Sequence, residues 1–144
     1  MSYIPVDDID DFGLKRQVRL LVVDDHSEHF QQVQEVAGMY HADFDFECRL
    51  VSDSGAALKM TSEWHPSVVL VDLHLIADTL DILGKIAEHG AVVVATSETK
   101  IPELPEKLSQ YGAAGYMTKS ESLEDVEALL TYVASIAPTA PVEH

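Results

Sequence analysis

The sequence predicts an α/β fold, with a parallel sheet of five strands and five helices on its two faces. Short apolar runs alternate with segments whose apolar residues recur at helical spacing. The connections are short, which favours right-handed crossovers between parallel strands. The central run, residues 68–71, has four consecutive apolar residues, three of them β-branched, as is typical of a strand buried on both faces.

The apolar runs give the five strands in order. They span residues 18–23, 46–51, 68–72, 91–95 and 114–118. Each is short and bounded by polar residues or by turn residues such as Pro66, which precedes the third run.

The five helices are predicted from periodicity and from the residues at their ends. Ser27, Ser54 and Ser120 are the predicted N-caps of the first, second and last helices. Gly90 and Gly112 follow the third and fourth helices, where glycine accepts the backbone conformation that ends a helix. The first helix is predicted to end near residue 40, and the third and fourth helices to span residues 78–88 and 105–111.

The length of 144 residues fits one domain, which we expect to comprise residues 17–136. Residues 1–16 are expected to form a flexible acidic arm, because four aspartates lie there among scattered apolar residues, between the breakers Pro5 and Gly13. Residues 137–144 are expected to form a loose tail. A stand-alone domain and a domain cut from a larger protein both remain compatible with this organisation.

The composition excludes several classes of function. A net charge of −16, from 25 acids and 9 bases, disfavours direct binding to nucleic acid. The single cysteine, Cys48, cannot form a disulfide framework. No long apolar run, and no basic segment leading into one, indicates a membrane span or a secretory signal. The cytoplasm is therefore the expected location.

Polar residues end four of the five apolar runs. Asp24 and Asp25 follow the first run, Asp72 ends the third, Thr96 follows the fourth and Lys119 follows the fifth. Because ligands of open α/β sheets bind outside the carboxyl ends of the strands, we expect these side chains to meet at one site. For Asp72 taken alone, capping of the next turn is an equally good interpretation.

Together these residue types suit phosphoryl transfer. Carboxylates are the ligands by which proteins hold magnesium, and the ammonium of Lys119 would neutralise charge on phosphoryl oxygens. The hydroxyl of Thr96 could donate a hydrogen bond to one of those oxygens. Asp72, central in the sheet, is the predicted nucleophile that would form an acyl phosphate.

The order of the motifs VVDD, VVLVD, VVVATS and AAGYMTKS resembles the CheY-like receiver domain of bacterial two-component response regulators over roughly residues 17–136. The resemblance implies a flavodoxin-like three-layer fold. It also implies transfer of a phosphoryl group from a sensor histidine kinase or a histidine phosphotransfer protein to Asp72. The chain would then be no enzyme beyond its own phosphorylation and dephosphorylation.

The resemblance further implies a Mg²⁺ site. Asp24 and Asp25 would serve it together with Asp72, one of the first two directly and the other partly through water. The backbone carbonyl of His74 would complete it. His26 and His74 also invite a transition metal, but carboxylates beside a hydroxyl favour a hard cation.

A conformational switch is implied as well. Thr96 would be the switch hydroxyl, Lys119 the ammonium paired with the phosphoryl group, and Tyr116 the aromatic that swings inward as Thr96 moves. The output would be a two-state change in the surface of the fourth helix, fifth strand and fifth helix. A downstream protein target would bind this surface, or a homodimer would form through it.

Three positions depart from the family pattern. Ile76 stands where proline is usual, Leu80 where glycine is usual, and Ser120 where a proline usually follows the lysine. We therefore expect an atypical loop after Asp72, with consequences for magnesium geometry, phosphorylation kinetics and kinase docking.

Three alternative functions differ in the residues they require. A pseudo-receiver, which keeps the fold without a phosphate switch, is favoured by the altered loop and disfavoured by the complete set of reactive residue types. A phosphatase-like enzyme usually has a second acid two residues after the nucleophile, where this chain has His74. A cobalamin-binding domain shares the Asp-x-His of residues 72–74 but has glycine at the position of Ala77 and its motif after the first strand.

Overall fold

Five parallel strands form one sheet, as the sequence predicted. The computed structural model describes residues 16–39, 44–74, 81–98, 108–119 and 122–137. The strands are β1 (Arg16–Val23), β2 (Phe44–Val51), β3 (Val68–Asp72), β4 (Val92–Ser97) and β5 (Gly115–Thr118). Their order is β2-β1-β3-β4-β5, which is the flavodoxin-like order.

Helices connect the strands. They are α1 (Ser27–Met39), α2 (Ser54–Trp64), α3 (Ile82–Ala87), α4, described at residues 108–110, and α5 (Leu123–Ile136). The predicted span of α3, residues 78–88, was too long: Asp81 is the N-cap, and the helix begins at Ile82 and ends at Ala87. The predicted beginning of α4, and nearly all of the predicted arm and tail, lie outside the described residues. So do Ile76, Ala77, Leu80 and Ser120.

Each face of the sheet carries its own apolar core, because successive side chains of a strand point to opposite faces. One core joins Leu21, Val69 and Val93 of the sheet to buried residues of α2 and α3 and to Leu108 of α4. The other joins Leu20 and Leu70 to buried residues of α1 and α5. Helices therefore cover both faces, which confirms the three-layer arrangement.

Three strands extend beyond the predicted apolar runs, whereas β4 and β5 each begin one residue later than predicted. β1 and β2 each begin two residues earlier than predicted, because they pair with each other along their full length from Arg16 and Phe44. β4 includes Thr96 and Ser97, which pair with Met117 and Thr118 of β5. These strand ends are set by hydrogen bonding to a neighbouring strand, which cannot be predicted from hydrophobicity alone.

Three predicted N-caps were wrong. Ser27 is the first residue of α1 and lies inside the helix. Asp53 caps α2 in place of Ser54, because its carboxylate accepts a hydrogen bond from the Ala56 amide at 2.7 Å. Ser122 caps α5 in place of Ser120, accepting from the Asp125 amide at 3.2 Å.

The predicted glycine signals were correct. Gly90 and Gly112 have φ angles of +90° and +101°, a region that side chains rarely adopt. Gly112 also packs closely on α3, where an added Cβ would lie 3.1 Å from the Cα of Gly84. Within the described residues, no helix combines the length and apolar character needed to cross a membrane.

Candidate functional site

The alternation of side chains along the strands brings four of the predicted site residues, Asp24, Asp72, Thr96 and Lys119, to one face of the sheet. Asp72 pairs in register with Thr96, and Thr96 pairs with Met117. Asp24 directly follows β1 and lies two residues after Val22, so it shares the sheet face of Val22, which belongs to the core beneath α1 and α5. Lys119 lies two residues after Met117 and so shares its phase. The carboxyl edge therefore presents these polar side chains as a row across the sheet.

Lys119 forms the centre of this cluster. Its Nζ lies 2.8 Å from Oδ2 of Asp24 and 3.4 Å from Oδ2 of Asp72. All three side chains are almost fully buried, at 5% exposure for Lys119, 2% for Asp24 and 3% for Asp72. The backbone amide of Lys119 donates to the Ser97 carbonyl at 2.7 Å, which fixes where the side chain begins.

Burial and pairing act in opposite directions on these charges. For Asp24, burial raises the pKa, but hydrogen bonds from Lys119 and from the His26 amide more than offset it and hold the pKa below 3.8. For Lys119, burial lowers the pKa, while the hydrogen bond and charge of Asp24, with those of Asp72, raise it above 10.5. Asp24 and Lys119 are thus held as an ionised pair at neutral pH.

Asp24 and Asp25 differ sharply although they are adjacent. Asp24 is buried, and its amide donates to the Val51 carbonyl at 3.0 Å, which extends the pairing of β1 with β2. The Asp25 side chain is 47% exposed and faces solvent. One carboxylate therefore belongs to the buried ion cluster, and the other remains accessible from outside.

Asp72 caps the following turn and also faces the buried cluster and a cleft, while its role as a phosphoacceptor stays a prediction. Its Oδ1 accepts a hydrogen bond from the His74 amide at 3.0 Å, so the carboxylate does cap the following turn. Its Oδ2 is the atom near Lys119. It also lines a cleft of about 320 Å³ with His26, His74, Ser97 and Glu98. The buried carboxylate is thus reachable through this cleft.

Thr96 and Tyr116 lie on opposite faces of the sheet. The Thr96 hydroxyl is buried and donates to the Val71 carbonyl at 3.4 Å. Tyr116 pairs in register with Ala95 and packs, half-buried, against the core beneath α2 and α3. The roles predicted for both residues in a switch remain predictions.

Two histidines lie at the site in contacts that sequence reasoning did not predict: it considered His26 as a transition-metal ligand and set that role aside, and it gave His29 no role. Nδ1 of His26 lies 3.2 Å from Oδ1 of Asp24 and 3.1 Å from Oδ1 of Asp25. Nδ1 of His29 lies 3.9 Å from Oδ2 of Asp24, and that histidine is buried in the first turn of α1. The only sequence signal was proximity to the two aspartates, which does not tell where an imidazole points.

The donor set fits a divalent cation. Ligand atoms of Asp24, Asp25, His26 and Asp72 all lie within 4.8 Å of one another. Three of these four groups are carboxylates, the oxygen ligands that hard cations prefer. The acidic cluster can therefore hold a metal ion, whereas the backbone carbonyl of His74 stays a predicted ligand.

Comparison with known proteins agrees with this geometry. Residues 20–131 match the family described as response regulator receiver domain. The chain is 30% identical over 121 residues to the response regulator GacA of Pseudomonas aeruginosa, across 76% of this chain and 51% of GacA. The chain thus spans about half the length of that relative.

Solved structures agree in fold. The response regulator domain of Thermotoga maritima CheB superposes with a TM-score of 0.70 at 18% identity, covering 88% of this chain and all of that one. The Mn²⁺-bound form of response regulator Rcp1 superposes with a TM-score of 0.65 at 23% identity, covering 88% of this chain and 99% of that one. The chain belongs to the response regulator receiver domain family of two-component signalling.

Proposed function

We propose that the chain is a phosphoacceptor switch whose reactive group is the Asp72 carboxylate. One observation carries the proposal: Asp72 is buried beside the Lys119 ammonium and yet lines an open cleft. A carboxyl group at that position is oriented by the His74 amide and the Lys119 ammonium, while a donor can approach it through the cleft. In this proposal the chain reacts only at its own carboxylate, through phosphorylation and dephosphorylation, and does not transform a separate substrate.

The proposed reaction is an in-line transfer. An oxygen of Asp72 forms a bond to the phosphorus of a donor phosphohistidine, while the phosphorus–nitrogen bond breaks. The electron pair stays on the donor imidazole, which takes up a proton from solvent. The product is an acyl phosphate on Asp72. A sensor histidine kinase or a histidine phosphotransfer protein is the proposed donor.

Each neighbouring side chain has a proposed task. Lys119 balances charge on the phosphoryl oxygens, because its ammonium is 3.4 Å from the acceptor carboxylate. Thr96, in register with Asp72, supplies a hydroxyl once its hydrogen bond to Val71 is released. Asp24, Asp25 and Asp72 would hold Mg²⁺, which supplies further neutralisation of phosphoryl charge when bound.

The proposed output runs through the side of the domain formed by α4, β5 and α5. Movement of Thr96 would alter the β4–β5 edge, where Thr96 pairs with Met117 and Ala95 pairs with Tyr116. Phosphorylation shifts the two states only by its different interaction with each of them. A downstream protein or a second copy would bind the favoured state. We place this signalling in the cytoplasm, where Cys48 would stay reduced.

Measurement of intact mass after incubation with acetyl phosphate and Mg²⁺ tests the proposal. We expect a gain of one phosphoryl group in the native chain and in Asp45→Asn, a matched change at an exposed aspartate of β2. We expect no gain in Asp72→Asn or when EDTA replaces Mg²⁺. An equal gain in Asp72→Asn would contradict the assignment of the acceptor.

A second candidate is a protein-interaction module that works without phosphate. The contact of His26 with Asp24 and Asp25 favours it, because an imidazole held there occupies space beside the carboxylates. This candidate predicts no phosphoryl gain from acetyl phosphate and no binding of beryllofluoride, a mimic of the phosphoryl group. Uptake of either one excludes it.

A further inference from the structure

His26 places one ring nitrogen among all three carboxylates of the site. Its Nδ1 lies 3.2 Å from Asp24 Oδ1, 3.1 Å from Asp25 Oδ1 and 4.0 Å from Asp72 Oδ2. The backbone amide of His26 also donates to Asp24 Oδ1 at 2.9 Å, which ties the residue to the cluster. Both the side chain and the backbone of His26 therefore contact the carboxylates of the site.

These separations match the ligand spacing around a small octahedral cation. With bonds of about 2.1 Å, adjacent ligand atoms lie about 3.0 Å apart and opposite ones about 4.2 Å apart. The nitrogen thus stands where a ligand adjacent to Asp24 and Asp25 would stand, and nearly opposite Asp72. Ligand atoms of all four groups lie within 4.8 Å of one another, so one cation could contact all four once the side chains close around it.

We infer that His26 Nδ1 is a protein ligand of the cation at this site. The inference rests on the proposed cation site and names the class of ion that it takes. Imidazole suits transition metals better than it suits magnesium, whereas carboxylates accept both classes. A set of three carboxylates and one imidazole therefore favours octahedral Mn²⁺, Co²⁺ or Ni²⁺ over Mg²⁺ more strongly than carboxylates alone.

The competing arrangement is a neutral imidazole whose Nδ1–H donates to the carboxylates. Ligation requires the other tautomer, with the lone pair on Nδ1 and the proton on Nε2. The His26 side chain is 48% exposed, so Nε2–H can be hydrated without a protein partner. The two arrangements predict opposite effects of removing the ring nitrogen on cation affinity. Removing a donor that competes with the cation should raise the affinity, whereas removing a ligand should lower it.

Pulsed electron paramagnetic resonance of the chain with bound Mn²⁺ tests this directly, since it detects nitrogen in the first coordination shell. We expect coupling to an imidazole nitrogen in the native chain. The coupling should be lost in His26→Phe and retained in His89→Phe, a matched change at an exposed histidine that contacts the Lys85 carbonyl.

Calorimetric titration with Ni²⁺ and with Mg²⁺ gives a second readout. We expect His26→Phe to weaken Ni²⁺ binding by about tenfold or more and Mg²⁺ binding by less than about threefold. Two results would overturn the inference about His26 and leave the proposed function standing. One is Mn²⁺ bound to the native chain without nitrogen coupling, and the other is a Ni²⁺ affinity that is unchanged or increased in His26→Phe. Failure of the native chain to bind either Mn²⁺ or Mg²⁺ would also remove the cation site from the proposed function.

Discussion

Two cations of this domain are held by acids in opposite surroundings. Lys119 is 5% exposed and contacts Asp24 and Asp72 at 2.8 Å and 3.4 Å. Arg49 is 45% exposed, lies 3.6 Å from Glu47, and stacks over the Trp64 ring at 4.4 Å from its centroid. Both cations lie within ion-pair distance of an acid, but their different burial gives these ion pairs different physical consequences.

The difference separates the cluster that we propose to be functional from an ordinary structural contact. Burying Lys119 with two carboxylates costs desolvation energy that well-packed apolar side chains would not incur. The cluster leaves two acids competing for one ammonium, an arrangement suited to receiving a further charged group. Arg49 instead covers Trp64 with its guanidinium while staying hydrated, which is ordinary surface packing.

The largest expected effect comes from Lys119→Met. Without the ammonium, Asp24 and Asp72 become buried carboxylates with no cation, so we expect the free energy of unfolding to fall by about 3 kcal/mol or more at pH 7. Chemical denaturation in EDTA measures it. A loss below about 1 kcal/mol would mean that water already screens the cluster.

The loss of unfolding free energy in Lys119→Met should depend on pH, which sharpens the comparison between the Lys119 and Arg49 regions. In the native chain Asp24 has a pKa below 3.8, so its stabilising contribution is present above that pH and is lost as pH falls through the lowered pKa. In Lys119→Met the unpaired carboxylate is costly only while ionised. The stability difference between the two chains should therefore narrow below about pH 4.

A smaller effect is expected for Arg49→Met. The methionine still covers part of Trp64, and the exposed pairing with Glu47 contributes little, so the free energy of unfolding should fall by about 1 kcal/mol or less. Because Trp64 is the single tryptophan, its fluorescence should change with this substitution and not with Lys119→Met. A loss as large as that of Lys119→Met would break the distinction between the two regions.

Much of the site was predictable from the sequence because strand geometry is regular. Apolar runs located the strands, and parallel connections put their carboxyl ends on one edge. The alternation of side chains then aligned Asp24, Asp72 and Thr96 on one face. The close approach of Lys119 to two of the predicted partners follows from the same geometry.

What escaped the sequence depends on single side-chain orientations. Ser54 and Asp53 are both good caps, and only the backbone geometry decides that the aspartate accepts from Ala56. The unequal burial of Asp24 and Asp25 depends on which way each points. The direction of the His26 imidazole likewise has no periodic signal, because it lies in a loop between a strand and a helix.

Chemical trapping of the modified residue tests the central claim, that Asp72 is the phosphoacceptor. Borohydride reduces an aspartyl phosphate to homoserine, and peptide mass spectrometry locates the converted position. After phosphorylation in Mg²⁺, we expect homoserine at position 72 and aspartate retained at positions 24 and 25. Homoserine at either of those two positions, with Asp72 unchanged, would contradict the account.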